Sequence, residues 1–277
     1  MRTCEQFSFE EIQGFRFGYS PLGKPFIHAN VYFVDGVLID TGQRKVGQLL
    51  LDKIGGLAVE QIFITHHHED HTGNLDHLQA HFSCPIYASP SCCEMMKAPP
   101  PISLAQQMSW GNRPPFHQLT PIKGTLRTPN HQFEIIPAPG HSPDMVVLYE
   151  PERKWLFSAD LYIHHYIGYM LPSESIAQQI QSTRRVLELD FDVLLCGHNP
   201  QFSNGKALLQ QKLSFLEQFY EQVAHFHQKG LSAKAVFKAM RLKENQFIKL
   251  FSGGKLSKMN MVRSVIRDLS NPSPSPA

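Results

Sequence analysis

The string His66-His67-His68-Glu69-Asp70-His71, set directly after the apolar run 61–65, constrains this chain more than any other feature. Three imidazoles and a carboxylate in the pattern HxHxDH would repel protons and solvate poorly if gathered without an ion, so the pattern asks for a metal. The run before it reads as a buried strand. After it a helix starts near Gly73, with Leu75, Leu78 and Phe82 on one face. The ligand-type residues therefore lie in a strand, loop, helix connection. His67 alternates away from its neighbours and is not counted among them.

Three more strand ends carry metal-ligand residue types. The strand 133–137 precedes Gly140-His141-Ser142-Pro143, the strand 155–158 precedes Asp160, and the strand 191–196 precedes Gly197-His198-Asn199. Short loops at one edge of a sheet, held by rigid strands, bring such distant residues to one point. Neutral imidazole and carboxylate suit Zn, Fe or Mn, and His66, His68, His71, His141 and His198 with Asp70 and Asp160 are enough to hold two ions. His164, His165, His225 and His227 have no comparable setting and read as ordinary packed or solvated side chains.

Strands and helices alternate through the first 204 residues, so this body is α/β. Residues 31–40 read as a hairpin turning at Asp35-Gly36, whose second strand ends on Asp40-Thr41-Gly42. A helix follows over 46–54, closed by Gly55-Gly56, and another is expected over 174–189 with Ser173 as its N-cap. Residues 98–130 are rich in proline and form a long loop, a possible lid carrying Trp110, Arg113 and Phe116. From residue 205 to 270 the strands stop and amphipathic helices take over: a long one through Leu209, Leu213 and Leu216 to Gly230, one capped by Ser232, and one over 256–269. The last stretch, 271–277, reads as a disordered tail.

Charge divides at the same boundary. Residues 201–277 hold 12 basic and 4 acidic side chains, whereas residues 1–200 hold 14 basic and 20 acidic ones. An acidic body thus carries a basic helical segment. With 42% apolar and 18% charged residues the chain is neither disordered nor fibrous. No apolar run approaches the roughly 20 residues of a membrane span. The start lacks the basic and apolar signature of a secretory signal, and the five cysteines form no CxxC pair, so a cytoplasmic protein with reduced thiols is expected.

The ordered set HxHxDH, then His141, Asp160 and His198, together with the strand ending in Asp40-Thr41-Gly42, resembles the metallo-β-lactamase-fold hydrolase superfamily over about residues 26–200. All seven ligand positions are present in order. The resemblance implies a four-layer αββα sandwich with a dinuclear site at one edge and, here, an added C-terminal helical segment. It implies a first ion on His66, His68 and His141, a second on Asp70, His71 and His198, and Asp160 bridging the two beside a water or hydroxide. Two Zn ions are the expected cofactors, with Fe or Mn also suited. Such a pair about 3.5 to 4 Å apart supplies hydroxide near neutral pH and polarises the oxygen under attack. Asp70 is then a candidate to orient that hydroxide or take its proton, and Asp40 to hydrogen-bond a ligand histidine, its other role being to cap the next turn.

Departures from the superfamily's branches narrow the class. Asp160 stands where many true β-lactamases carry Cys or Ser, and His68 stands where flavin-linked di-iron relatives carry Glu. The string 65–71 is similar to that of hydroxyacylglutathione hydrolases (glyoxalase II) and other thioesterase-like members, and also to that of nuclease-like members. The favoured substrate is a small anionic acyl compound such as a thioester, ester or lactone. Trp110 and Arg113 of the proline-rich segment are expected to contact it, as are Lys255 and Lys258 at a Gly-rich helix start, where backbone N–H groups favour an anion. A phosphodiesterase or nuclease is the alternative, though the basic segment lacks the aromatic and basic interleaving that tracks single strands. A mononuclear-iron enzyme similar to persulfide dioxygenases is a second alternative.

Overall fold

Residues 146–150 and 155–159 are buried at every position, the mark of strands covered on both faces. They belong to one of two mixed sheets in the computed structural model, which describes residues 1–25 and 27–270. The tail expected over 271–277 lies outside the described residues.

The first sheet has seven strands in chain order: β1 (Arg2–Phe9), β2 (Ile12–Tyr19), β3 (His28–Val34), β4 (Val37–Ile39), β5 (Gln61–Ile64), β6 (Ile86–Ala88) and β7 (Thr120–Pro121). Its first four strands run antiparallel and the rest parallel. The second sheet has the order β12-β11-β10-β9-β8, from β8 (Gly124–Arg127), β9 (Gln132–Pro137), β10 (Val146–Glu150), β11 (Trp155–Ala159) and β12 (Val193–Cys196). Only β11 and β12 pair in parallel there.

Three apolar layers separate four layers of structure. Helices α1 (Gly47–Ile54), α3 (Leu75–Phe82) and α4 (Pro90–Lys97) cover the first sheet, with Leu50, Ile54, Leu78 and Met96 packed on Phe17, Val31, Ile62 and Ile64. Between the sheets lie Phe63, Tyr32, Phe133, Leu148, Trp155 and Phe157. Helices α6 (Ile176–Leu187) and α7 (Gly205–Gln228) cover the second sheet through Val186 and Leu209, which meet Met145, Val147 and Leu194. This is the expected αββα sandwich. In β5, Ile62 and Ile64 face the helices while Phe63 faces the other sheet, as the two-residue period requires.

The helical segment is not a loose appendage. With α8 (Ala233–Ala239) and α10 (Lys258–Ser270), α7 packs on α6 around Met170, Ile176, Leu216, Val236, Val262 and Val265. No helix among the described residues is long and apolar enough to cross a membrane, and all five cysteines are free thiols.

Several elements differ from expectation. The hairpin β1–β2 turns at Glu10, with φ of 50°, without the glycine that marks a tight turn. The second half of the histidine string is not loop but one helical turn, α2 (Glu69–Thr72). The proline-rich stretch contains α5 (Leu104–Ser109), capped by a Ser103–Gln106 box, along with β7 and β8. Ser175, not Ser173, caps α6, and a short α9 (Gln246–Phe251) lies between α8 and α10. By contrast, the Asp35-Gly36 turn, with φ of 46° and 83°, and the Ser232 cap of α8 form as read.

Candidate metal centre

All the ligand-type residues hang from C-terminal strand ends at one edge of the sandwich. Asp40 follows β4, residues 66–71 follow β5, His141 follows β9, Asp160 follows β11 and His198 follows β12. Backbone hydrogen bonds lock the sheets together there: Asn30 N donates to Gly197 O at 2.7 Å and Val146 N to Thr65 O at 3.0 Å. Tyr32 and Asn30 side chains both donate to Cys196 O. A bulge between Phe157 and Ala159, with Ala159 at φ 46°, breaks the β11–β12 register just before Asp160 and re-aims that side chain. At Gly197 a Cβ would stand 2.4 Å from Asp160 Oδ1 and 2.8 Å from the His71 ring, so only glycine lets this loop pass.

The side chains converge in two groups. His66, His68 and His141 form one, and Asp70, His71, Asp160 and His198 the other, each with its ligand atoms within 4.8 Å of one another. Asp160 reaches both: its Oδ2 lies 3.4 Å from His141 Nε2 and 3.1 Å from His198 Nε2. Asp70 Oδ2 lies 3.4 Å from His198 Nε2 and 3.8 Å from His71 Nε2.

Outer partners fix which imidazole nitrogen faces inward. His71 Nδ1 donates to Asp40 Oδ2 at 2.7 Å, His141 Nδ1 to Glu174 Oε2 at 3.1 Å, and His198 Nδ1 to His28 O at 2.5 Å. His66 Nδ1 meets Thr65 Oγ1, which itself donates to Asp40. Each of these rings therefore points Nε2 toward the centre, the tautomer a metal ligand needs. Asp40 accepts the His71 hydrogen bond at a φ of 63° that aspartate tolerates. Asp40→Ala is expected to weaken metal binding about 10- to 100-fold. Equilibrium dialysis against Zn measures this, and unchanged affinity would remove Asp40 from the site.

Electrostatics separates the rings. Burial, helped by neighbouring imidazoles, holds His66 and His68 well below the ordinary histidine range, so both are neutral. Burial also opposes charge on His71 and His198, but the carboxylates override it: Asp40, Asp70 and Asp160 raise His71, and Asp160 with Asp70 pushes His198 up to about 9. Burial likewise works against the Asp160 charge, yet His198 and His71 hold its carboxyl well below the usual range. The centre is thus built around negative charge that a cation must answer. His66 Nε2, His71 Nε2 and Asp160 Oδ1 are buried with no hydrogen-bond partner. Buried polar atoms are almost always paired. Three converging orphans, two of them nitrogen and one carboxylate oxygen, fit a divalent metal ion.

Other expected residues fall differently. His67 turns outward to Asp144, which also accepts its backbone N–H. Trp110 sits over the site, its ring centroid 6.4 Å from that of His198. Arg113 does not face substrate: it is 5% exposed, and its Nη1 donates to Glu69 Oε2 at 3.1 Å while Gln106 donates to the other oxygen. Burying a guanidinium needs a carboxylate partner, and Glu69 on the metal loop supplies it. Phe116 is packed into the helix-covered core and is no lid.

A cavity of about 720 Å³ opens over the centre, lined by Asp70, His141, Asp160, His198 and Trp110 and also by Tyr166, Lys243, Lys255 and Lys258. That size suits a small-molecule ligand. Lys258 begins α10, and its ammonium lies 5.0 Å from the Tyr166 ring centroid. Glu174, Lys212 and Lys243 also reach the cavity wall, and sequence reasoning passed over all three. Lys212 did leave a signal, being a lysine on the buried stripe of Leu209, Leu213 and Leu216.

Comparison with known proteins agrees with this geometry. The family model described as "Metallo-beta-lactamase superfamily" matches residues 25–198. An uncharacterised protein of Aquifex aeolicus is 27% identical over 62% of this chain and 82% of its own length. A hydroxyacylglutathione hydrolase of Bdellovibrio bacteriovorus is 28% identical over 53% of this chain, which spans only 52% of that relative. Among solved structures, a metallo-beta-lactamase family protein from Thermus thermophilus superposes over 95% of both chains with a TM-score of 0.68 at 16% identity.

Proposed function

The chain belongs to the metallo-beta-lactamase superfamily, and on that premise we propose that it is a dinuclear metal-dependent hydrolase of small anionic acyl compounds. The observation that carries the dinuclear reading is the Asp160 carboxylate lying between the two ligand groups. His66, His68 and His141 would hold the first ion, Asp70, His71 and His198 the second, and Asp160 would serve both. Bound divalent ions supply a water acidic enough to attack near neutral pH and a Lewis acid for the substrate's carbonyl or phosphoryl oxygen.

The protein's own residues do the rest. Asp40, Thr65, Glu174 and the His28 carbonyl hold the imidazoles in their ligand tautomers, so little reorganisation is left for the reaction. Asp70 Oδ2 faces the same centre and is placed to take the proton of the attacking water. Trp110 covers one side and keeps bulk water from the scissile bond. Lys243, Lys255 and Lys258 also line the cavity and supply positive charge for an anionic substrate. The relatives named hydroxyacylglutathione hydrolases support a thioester.

The same lysines favour a second reading, hydrolysis of phosphodiesters, because they would serve a phosphate as they serve a carboxylate. One experiment separates the two. Metal per chain is measured by elemental analysis, for Zn, Fe and Mn, and that preparation is assayed on acyl-glutathione, acyl-coenzyme A, a lactone and a bis-aryl phosphodiester. Two metals per chain and the highest kcat/KM on an anionic thioester are expected. A single ion after reconstitution with Zn would overturn the dinuclear reading, and preference for the phosphodiester would overturn the acyl one.

A further inference from the structure

Lys212 is 2% exposed on α7, among the apolar residues that join this helix to the sandwich, yet it lines the cavity with Asp160 and Glu174. Its ammonium donates to the backbone carbonyl of Leu161, the residue after Asp160, and to no other group among the described residues. No carboxylate among the described residues lies within ion-pair distance of it. An ammonium carries three donors, so two are left over. A buried charge without a partner is costly and is normally paired or neutralised. Arg113, also a buried cation, has its carboxylate in Glu69. Burial draws Lys212 down to about 8, with Glu174 and Asp160 pulling the other way. An apolar side chain of similar length would fill the same space without that cost.

We propose that Lys212 is the floor of an anion subsite at the metal end of the cavity, where its spare N–H groups bind a carboxylate on the acyl part of the substrate. Lys243 and Lys255, both exposed, stand at the mouth. A substrate whose scissile carbonyl sits at the centre has one end toward Lys212 and the other toward the mouth, so the two sets of cations read different ends. This deepens the hydrolase reading and rests on it for the word acyl, but the subsite itself is testable without turnover.

Isothermal titration calorimetry of the metal-loaded protein compares succinate with succinamide, its neutral counterpart of the same shape. Wild type is expected to bind succinate at least about tenfold more tightly, the usual worth of a charged hydrogen bond. Lys212→Met, with its metal content checked, loses that preference, and Lys212→Arg keeps part of it. In kinetics, Lys212→Met raises KM for a succinyl thioester about tenfold more than for the butanoyl thioester of the same thiol. Failure of wild type to distinguish succinate from succinamide overturns the proposal, even if Lys212→Met does not fold. So does an equal loss on both thioesters. An enzyme that hydrolyses neither thioester but prefers succinate, and loses that preference in Lys212→Met, keeps the subsite and sinks the acyl-hydrolase reading instead.

Discussion

Replacing Asp160 by alanine is expected to lower kcat at least about a thousandfold, because the carboxylate lies between the two ligand groups and, in the dinuclear reading, several kcal/mol of charge stabilisation go with it. The folded protein should survive. Asp160 sits at a strand end, 5% exposed and outside the apolar clusters, so its removal strips His71 and His198 of a counter-charge but leaves the packing of the sandwich intact. The expected pattern is therefore a normal circular dichroism spectrum, a metal content falling below two ions per chain, and turnover near background. Retention of near-normal rates would refute the bridging role. Asp160→Asn is the sharper comparison: it keeps the shape and one oxygen but not the charge, so it separates loss of ligation from loss of packing.

The second large effect is on stability and lies at Arg113. Its guanidinium and the amide of Gln106 between them satisfy both oxygens of Glu69, and Arg113 Nη2 also reaches Pro100 O at 3.4 Å. Burial and the neighbouring Asp70 raise the Glu69 carboxyl above its usual range, with Arg113 holding it down. Arg113→Met leaves that carboxylate buried without its cation, a loss of about 3 to 5 kcal/mol. For a protein of this size that is a fall in Tm of roughly 10 °C. Adding Glu69→Gln to Arg113→Met is expected to recover more than half of the loss, since the stranded charge is gone. A single variant melting within about 1 °C of wild type would dismiss the clamp. Because Glu69 stands between His68 and Asp70, the same pair ties the α5 segment to the metal loop. Activity of Arg113→Met should accordingly fall before the protein unfolds.

Much of the centre was legible because its residues are local or punctuated. HxHxDH lies in one turn of chain, and Gly140-His141, Asp160 and Gly197-His198 each follow a recognisable apolar strand, so chain order alone implied convergence. Asp40 was legible for the same reason. The fold class followed from the alternation of strands and helices before residue 204. Illegible were features without local punctuation: the β1–β2 hairpin, turned by Glu10 without glycine, and β7 and β8, hidden among prolines. Arg113 read as a substrate contact because an arginine in a proline-rich loop is usually exposed; its burial depends on Glu69, 44 residues away.

What this chain can hold was settled by residue types: neutral imidazoles and carboxylates at strand ends are ligands for a divalent ion wherever they are brought together. Which nitrogen of each ring points inward, which carboxylate stands between the two groups, and which buried lysine lines the cavity were decided only by tertiary structure. The physical reason is that a hydrogen bond such as His71 to Asp40, or His141 to Glu174, and the burial of Lys212 arise when helices and sheets pack. No local pattern encodes the distance between them.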